Sequence, residues 1–287
     1  MKLFDNITII GVGLIGGSLA RACKQRGLVE TITGFGRNRA NLEKAVSLKF
    51  INRYSTDIKE AVKDADLVVL CSPVGTLVPR VREMLPALKE GCIVTDAGSV
   101  KTSVVREIDA LMPGSVLYVG AHPIAGGERS GIKASAPNLF DGAACIVTPT
   151  EKTDQEALKK VLKFWEAVGM RTHTMDTEEH DYIFGAVSHL PHIVAYALMN
   201  TIGELKTNNQ QPITLFSGGG LKDITRIASG DPVMWRDIFL ANKQPTIELL
   251  GQFRDTLDQL KVWIEKEDGE SLKQAFTEAN KYRFNLV

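Results

Sequence analysis

The sequence predicts an α/β fold followed by an all-α one, on three observations. Up to residue 174, short β-branched runs alternate with amphipathic stretches. Beyond it the strand signal stops, and the first strand runs straight into a glycine-rich turn. Strands are expected at residues 7–10, 31–35, 67–71, 93–95, 116–119 and 145–148, with helices at 14–25, 42–48 and 74–88 among them. This spacing argues a parallel sheet covered on both faces. An unalternating run such as Leu67-Val68-Val69-Leu70 fits a strand buried on both sides. Helices are then expected at 178–204, 221–228, 232–241, 245–266 and 271–282, joined by Gly- or Pro-bearing turns. The shift sets a domain boundary, 1–174 and 175–287. The long apolar face Ile247, Leu250, Phe253, Leu257, Leu260 and Ile264 suits packing on a second copy of the chain.

The chain has 287 residues, enough for one large domain or two, and its 44% hydrophobic and 24% charged content excludes a disordered or collagen-like class. Lys+Arg 34 balances Asp+Glu 34, so no global field gathers nucleic acid or an anionic membrane. Apolar stretches are expected to stop at charge or Pro short of the roughly 18 residues of a membrane helix, and no signal-peptide pattern opens the chain. Cys23, Cys71, Cys92 and Cys145 form no CxxC pair, which reads as buried free thiols in a reducing cytoplasm.

Gly11-Val12-Gly13-Leu14-Ile15-Gly16 follows the first strand and opens a helix. Gly11 permits the tight turn, Gly13 lets backbone N–H groups approach a pyrophosphate, and Gly16 lets the helix pack close on the strand. A strand before, a helix after and the next strand on schedule are the context this motif needs to mark a Rossmann-like dinucleotide-binding domain. An NAD site places an acidic residue at the end of the second strand; here Gly36-Arg37-Asn38-Arg39 stands there, with no acid before Glu43. Arg37 and Arg39 are candidates for a 2′-phosphate, so NADP is expected in preference to NAD. Ser72-Pro73 ends the next strand, where Ser72 either offers a hydroxyl beneath the ribose or serves as a helix N-cap.

Three segments fall where strand ends should meet the cofactor: Asp96 to Lys101, Gly120 to Gly126, and His189-Leu190-Pro191-His192. His122, directly after a strand, suits a proton acceptor at neutral pH. His189 and His192 share one helical face, but no third ligand completes a metal site, so none is expected. His173 and His180 lack such a context and read as structural or surface groups.

The segments GVGLIGGS, DAGSVK, GAHPIAGGERSG, VSHLPH and GGGLKDITRIASGDPVMWRDI together resemble the prephenate dehydrogenase family, in the family's order and over essentially the whole chain. The resemblance implies a Rossmann-like domain followed by a helical dimerisation domain. It also implies oxidative decarboxylation of prephenate, or of arogenate in some members, with hydride passing to a nicotinamide. On the matching motifs it makes His122 the proton acceptor, with Ser99 bonding or orienting the ring hydroxyl. Lys101 helps hold the anionic substrate, and Glu128 gates or polarises the pocket. His189 and His192 line the pocket, Arg226 clamps a carboxylate, and Asp223 and Trp235 support Arg226. Taken as residues alone, Arg226 beside Asp223 and Asp231 also reads as a structural ion pair. Gly36 and Gly127 depart from the family's frequent Asp and Thr, and neither a fused mutase segment nor a regulatory domain is expected. A β-hydroxy acid dehydrogenase of the same plan and a non-enzymatic nucleotide sensor are the rival readings.

Overall fold

The computed structural model describes residues 2–127 and 131–286. Eight strands form one sheet: β1 (Phe4–Ile10), β2 (Val29–Phe35), β3 (Arg53–Ser55), β4 (Leu67–Leu70), β5 (Ile93–Asp96), β6 (Leu117–Pro123), β7 (Ala144–Thr148) and β8 (Arg171–Thr174). Their order is β3-β2-β1-β4-β5-β6-β7-β8. The first six run parallel, as the strand–helix spacing predicts. β7 returns antiparallel to β6, with His122 opposite Ile146, because no crossover helix lies between them among the described residues. Sequence reasoning misses β3 and β8: three and four largely polar residues are too few to show a pattern.

From β1 the chain winds outward to β2 and β3, then crosses back to β4 on β1's other side. That reversal opens a crevice beyond the carboxyl ends of β1 and β4. Helices α1 (Leu14–Gln25), α2 (Arg39–Ser47), α3 (Ile58–Val62), α4 (Val74–Met84), α5 (Thr102–Leu111) and α6 (Gln155–Val168) connect the strands. Two buried clusters form the core. Leu67 and Val69 join one with Ile7, Ile9, Leu19, Phe164 and Trp165; Val68 and Leu70 join the other with Ile10, Leu77, Val81 and Ile108. A central strand thus feeds both clusters, which is why its apolar run does not alternate. Each such side chain contributes about 1.5–3 kcal/mol of burial.

After β8 the chain is helical. α7 (Thr177–Phe184) continues through a π-helical turn, Gly185–His189, into α8 (Leu190–Gly203). Pro191 has no N–H to give to the preceding turn, and the wider π turn sits immediately before it. The continuous helix Thr177–Gly203 is long and apolar enough to match a membrane span by length and composition, which corrects the expectation of shorter apolar stretches. It nevertheless carries His180, Asp181 and His189 as buried polar groups. α9 (Gly219–Thr225), a single turn at Arg226–Ser229 and α10 (Pro232–Ala241), capped by Asp231, complete a first compact unit ending at Asn242. The second unit, from Lys243, is the pair α11 (Lys243–Glu265) and α12 (Gly269–Phe284); Ile247, Leu257 and Ile264 are exposed on α11.

Candidate active site

The cradle beyond β1 has the geometry the glycine motif requires. Gly11 sits at φ +98°, and a Cβ there would lie 2.8 Å from the Cys71 carbonyl oxygen. A Cβ on Gly16 would meet the Gly11 carbonyl oxygen at 2.1 Å, so only glycine lets α1 pack this close. Around Gly13 the space is open, and α1 begins there with no side-chain cap, leaving the amides around Leu14 and Ile15 available to an anion. A dinucleotide's pyrophosphate fits this open, uncapped helix start. At the end of β2, Arg39 pairs with Glu43 one turn along α2 (Nε to Oε1, 2.9 Å), while Arg37 is exposed. Of the two arginines read as phosphate ligands, Arg39 is therefore already engaged. Ser72 is not an N-cap: Pro73 holds that place without a side-chain bond, and the Ser72 hydroxyl accepts from Thr76 Oγ1 at 2.9 Å.

At the carboxyl end of β6, His122 is half-buried, and its Nδ1 lies 2.9 Å from Nε2 of His180. His180 is fully buried; its Nδ1 lies 2.8 Å from Asp181 Oδ1. Asp181 also accepts from the backbone N–H groups of Lys101 (2.7 Å) and Thr102 (2.8 Å), so it caps α5 while facing His180. The order of protons follows. A carboxylate only accepts, so His180 carries its proton on Nδ1; its Nε2 then accepts from His122 Nδ1–H, and the lone pair of His122 is left on Nε2. Of the two readings the sequence left for His180, structural or surface, the burial and the two bonds fit the structural one and exclude the surface one. The His180 bond to His122 has no local mark, because that partner stands 58 residues away. His173, on β8, is exposed.

Burial pushes the His122 imidazole well below the usual histidine range, and the nearby His180, Lys101 and His189 add to the shift. Burial likewise lowers His180, against the opposing bond to Asp181. Desolvation works to raise Asp181, but its bonds to His180, Lys101 and Thr102 hold it below the usual carboxylate range. The site therefore rests with neutral imidazoles and an ionised carboxylate.

Lys101 does not face the crevice. It is fully buried, and its ammonium is bonded to Asp96 Oδ1 and to the Ala121 carbonyl oxygen (2.8 Å). Asp96 also accepts from Gly98 N (2.7 Å) and from the Tyr118 hydroxyl (2.8 Å). A buried ammonium without such partners would be costly, so the pair explains the residue; the expectation that Lys101 holds the substrate is corrected. The network fixes the loop that carries Ser99, which is half-buried and without a hydrogen-bond partner among the described residues. Glu128 lies outside the described residues.

His189 and His192 come from the π turn and the start of α8. His189 is buried, with Nδ1 2.9 Å from Asn242 Nδ2, and burial lowers its pKa to about 4. His192 is half-buried; its Nδ1 donates to the Ser188 carbonyl oxygen at 2.8 Å, and its ring stacks on Trp235 at 3.6 Å. Burial also lowers His192, and the Arg226 charge contributes. Trp235 is buried against His192, Phe239 and Gly230. Arg226 and Asp223 are exposed; Asp231, the other acid near Arg226, accepts from the Val233 and Met234 amides as a cap. Among the described residues no group of three His, Cys, Asp or Glu is placed to hold a metal.

These shifts give acid lability. Unfolded, the histidines protonate near pH 6.5; folded, His122, His180 and His189 resist protonation. Below about pH 6.5 the unfolded chain binds protons the folded chain refuses, so stability falls as pH drops. The Asp181 contribution is lost at still lower pH. Thermal melts between pH 7.5 and 5 (roughly the span of that titration) should show a falling midpoint; a flat midpoint contradicts neutral burial.

The sequence matches two family models, described as prephenate dehydrogenase, nucleotide-binding domain, over residues 19–174, and prephenate dehydrogenase, dimerization domain, over residues 176–278. The chain belongs to the prephenate dehydrogenase family. Within this family it is 36% identical over 286 residues to a cyclohexadienyl dehydrogenase of Zymomonas mobilis, covering 100% of this chain and 97% of that one. It is 34% identical to a prephenate dehydrogenase of Bacillus subtilis, over 99% of this chain and 77% of that protein. Its fold is similar to a crystal structure of prephenate dehydrogenase from Aquifex aeolicus in complex with hydroxyphenyl propionate and NAD+ (TM-score 0.93, 40% identity, 99% and 98% of the two chains).

Proposed function

We propose that the chain oxidatively decarboxylates prephenate to 4-hydroxyphenylpyruvate with hydride transfer to NAD(P)+, as a cytoplasmic homodimer. In this reading residues 1–174 bind the dinucleotide, and 175–287 supply the substrate wall and the dimer contact. The observation that carries it is the chain His122–His180–Asp181, which leaves a bare Nε2 at the carboxyl end of β6, a strand parallel to β1 in the same sheet.

When bound, the oxidised nicotinamide supplies the hydride acceptor. His122 Nε2 takes the proton of the ring hydroxyl as hydride leaves the same carbon and the carbonyl forms. Asp181, through His180, stabilises the imidazolium that results. Loss of the ring carboxylate as CO2 returns an electron pair to the ring. The ring aromatises, and the new phenolate oxygen takes back the proton held at His122. Ser99 orients the hydroxyl, and Arg226 with His189 and His192 binds the carboxylate-bearing side chain, with Trp235 stacking behind His192 and Asp223 supporting Arg226. Glu128 gates the pocket edge.

The test is a rate matrix on the purified chain, prephenate and arogenate against NAD+ and NADP+. Prephenate-dependent nicotinamide reduction with release of CO2 supports the reading; turnover of arogenate alone moves the substrate assignment to the amino acid, and turnover of neither removes it. On the cofactor, Arg37 with no acid at the end of β2 favours NADP. Arg37→Ser should raise KM for NADP+ by about 10- to 100-fold, the loss of a charge-assisted bond, and leave NAD+ little changed. A wild-type preference for NAD+ overturns this assignment.

A further inference from the structure

Asn242 ends α10 and is buried, with 2% exposure. Its Nδ2 lies 2.8 Å from the Asp181 carbonyl oxygen. A carbonyl can only accept, so the amide nitrogen, not its oxygen, faces it; this settles the amide's orientation. The same nitrogen lies 2.9 Å from His189 Nδ1. Its second N–H points there, so Nδ1 is the acceptor and the proton of the neutral ring is on Nε2. His192 is fixed the opposite way: its Nδ1–H is taken by the Ser188 carbonyl, leaving Nε2 bare. Two imidazoles against one indole, Trp235, thus differ in polarity, one an N–H donor and the other an acceptor. Among the described residues the His189 Nε2–H has no partner, and an N–H in so buried a ring gains from an oxygen brought to it.

We infer that Asn242 is a positioning residue that locks His189 as the Nε2–H tautomer, so that the pocket wall offers a hydrogen-bond donor to a carboxylate or carbonyl oxygen of the substrate. This rests on the proposed reading of His189 as pocket wall. The lock also ties the start of the long helix, at Asp181, to its π turn, so one amide sets both the place of the ring and its polarity.

The test begins without substrate. In the full chain labelled with nitrogen-15 histidine, and with a His189→Gln variant for assignment, His189 should show a bare Nδ1 and a protonated Nε2. Asn242→Asp replaces the donor by an acceptor and should move the proton to Nδ1. With it, KM for prephenate should rise about 10- to 100-fold while kcat changes little, because the base His122 keeps its own relay. Should the aspartate variant fail to fold beside the Asp181 carbonyl, Asn242→Ala serves: the tautomers mix, and KM rises in the same direction. A proton on Nδ1 of wild-type His189, or a reversed tautomer with unchanged KM, overturns the inference. A wild-type chain that turns over no prephenate sinks the functional reading instead and leaves the nitrogen assignment standing.

Discussion

Replacing His122 by asparagine is expected to lower kcat by about 10²–10⁴-fold while substrate and cofactor still bind. The side chain keeps a polar group near the ring hydroxyl but has no lone pair of suitable basicity to take its proton. Its amide still reaches toward His180 Nε2, so the strand end should remain ordered. Binding by fluorescence or calorimetry separates the two effects. Near-wild-type turnover in this variant removes His122 as the base and with it the mechanism.

Asp181→Asn is expected to produce the next largest loss, a fall in kcat of about 10²-fold or more, by analogy with the carboxylate-to-amide change in a serine protease triad, where about 10⁴ is lost. The cause is a cascade of protons. An amide N–H turned to His180 Nδ1 forces that ring's proton to Nε2, where it faces His122 Nδ1; the His122 proton is then driven onto the nitrogen that must accept one. If the amide oxygen faces His180 instead, its NH2 meets the Thr102 N–H, and the cap on α5 is lost at a cost of about 0.5–2 kcal/mol. The two outcomes separate experimentally. A lower melting midpoint with unchanged kcat makes Asp181 only a cap, whereas a kcat loss with KM retained supports the relay.

Much of this was legible in the sequence. The glycine turn declares itself because its constraints are local: a positive φ and a forbidden Cβ within six residues. His122 is legible for a similar reason, since a strand end fixes where its side chain emerges. What escapes is pairing across the fold. His180 and Asp181 look like ordinary polar residues of a helix start until the topology brings them to β6 and α5. Asn242 has no motif at all and acquires its role from Asp181 and His189, more than 50 residues away. Lys101 is the converse: its motif is conspicuous, yet Asp96, five residues before it, claims the ammonium and leaves Ser99, half-buried on the same loop, without a partner among the described residues. The strands β3 and β8 are hidden by brevity, whereas β7 is expected as a strand at 145–148 and only its antiparallel direction is not.

The most direct test of the account is a crystal structure of the chain with NAD+ and the product 4-hydroxyphenylpyruvate. The account predicts the phenolic oxygen within hydrogen-bond distance of His122 Nε2, the nicotinamide against the ring carbon that bears it, and the side-chain carboxylate toward Arg226. A phenol bound elsewhere, with His122 Nε2 facing protein or solvent and not the ring oxygen, contradicts it.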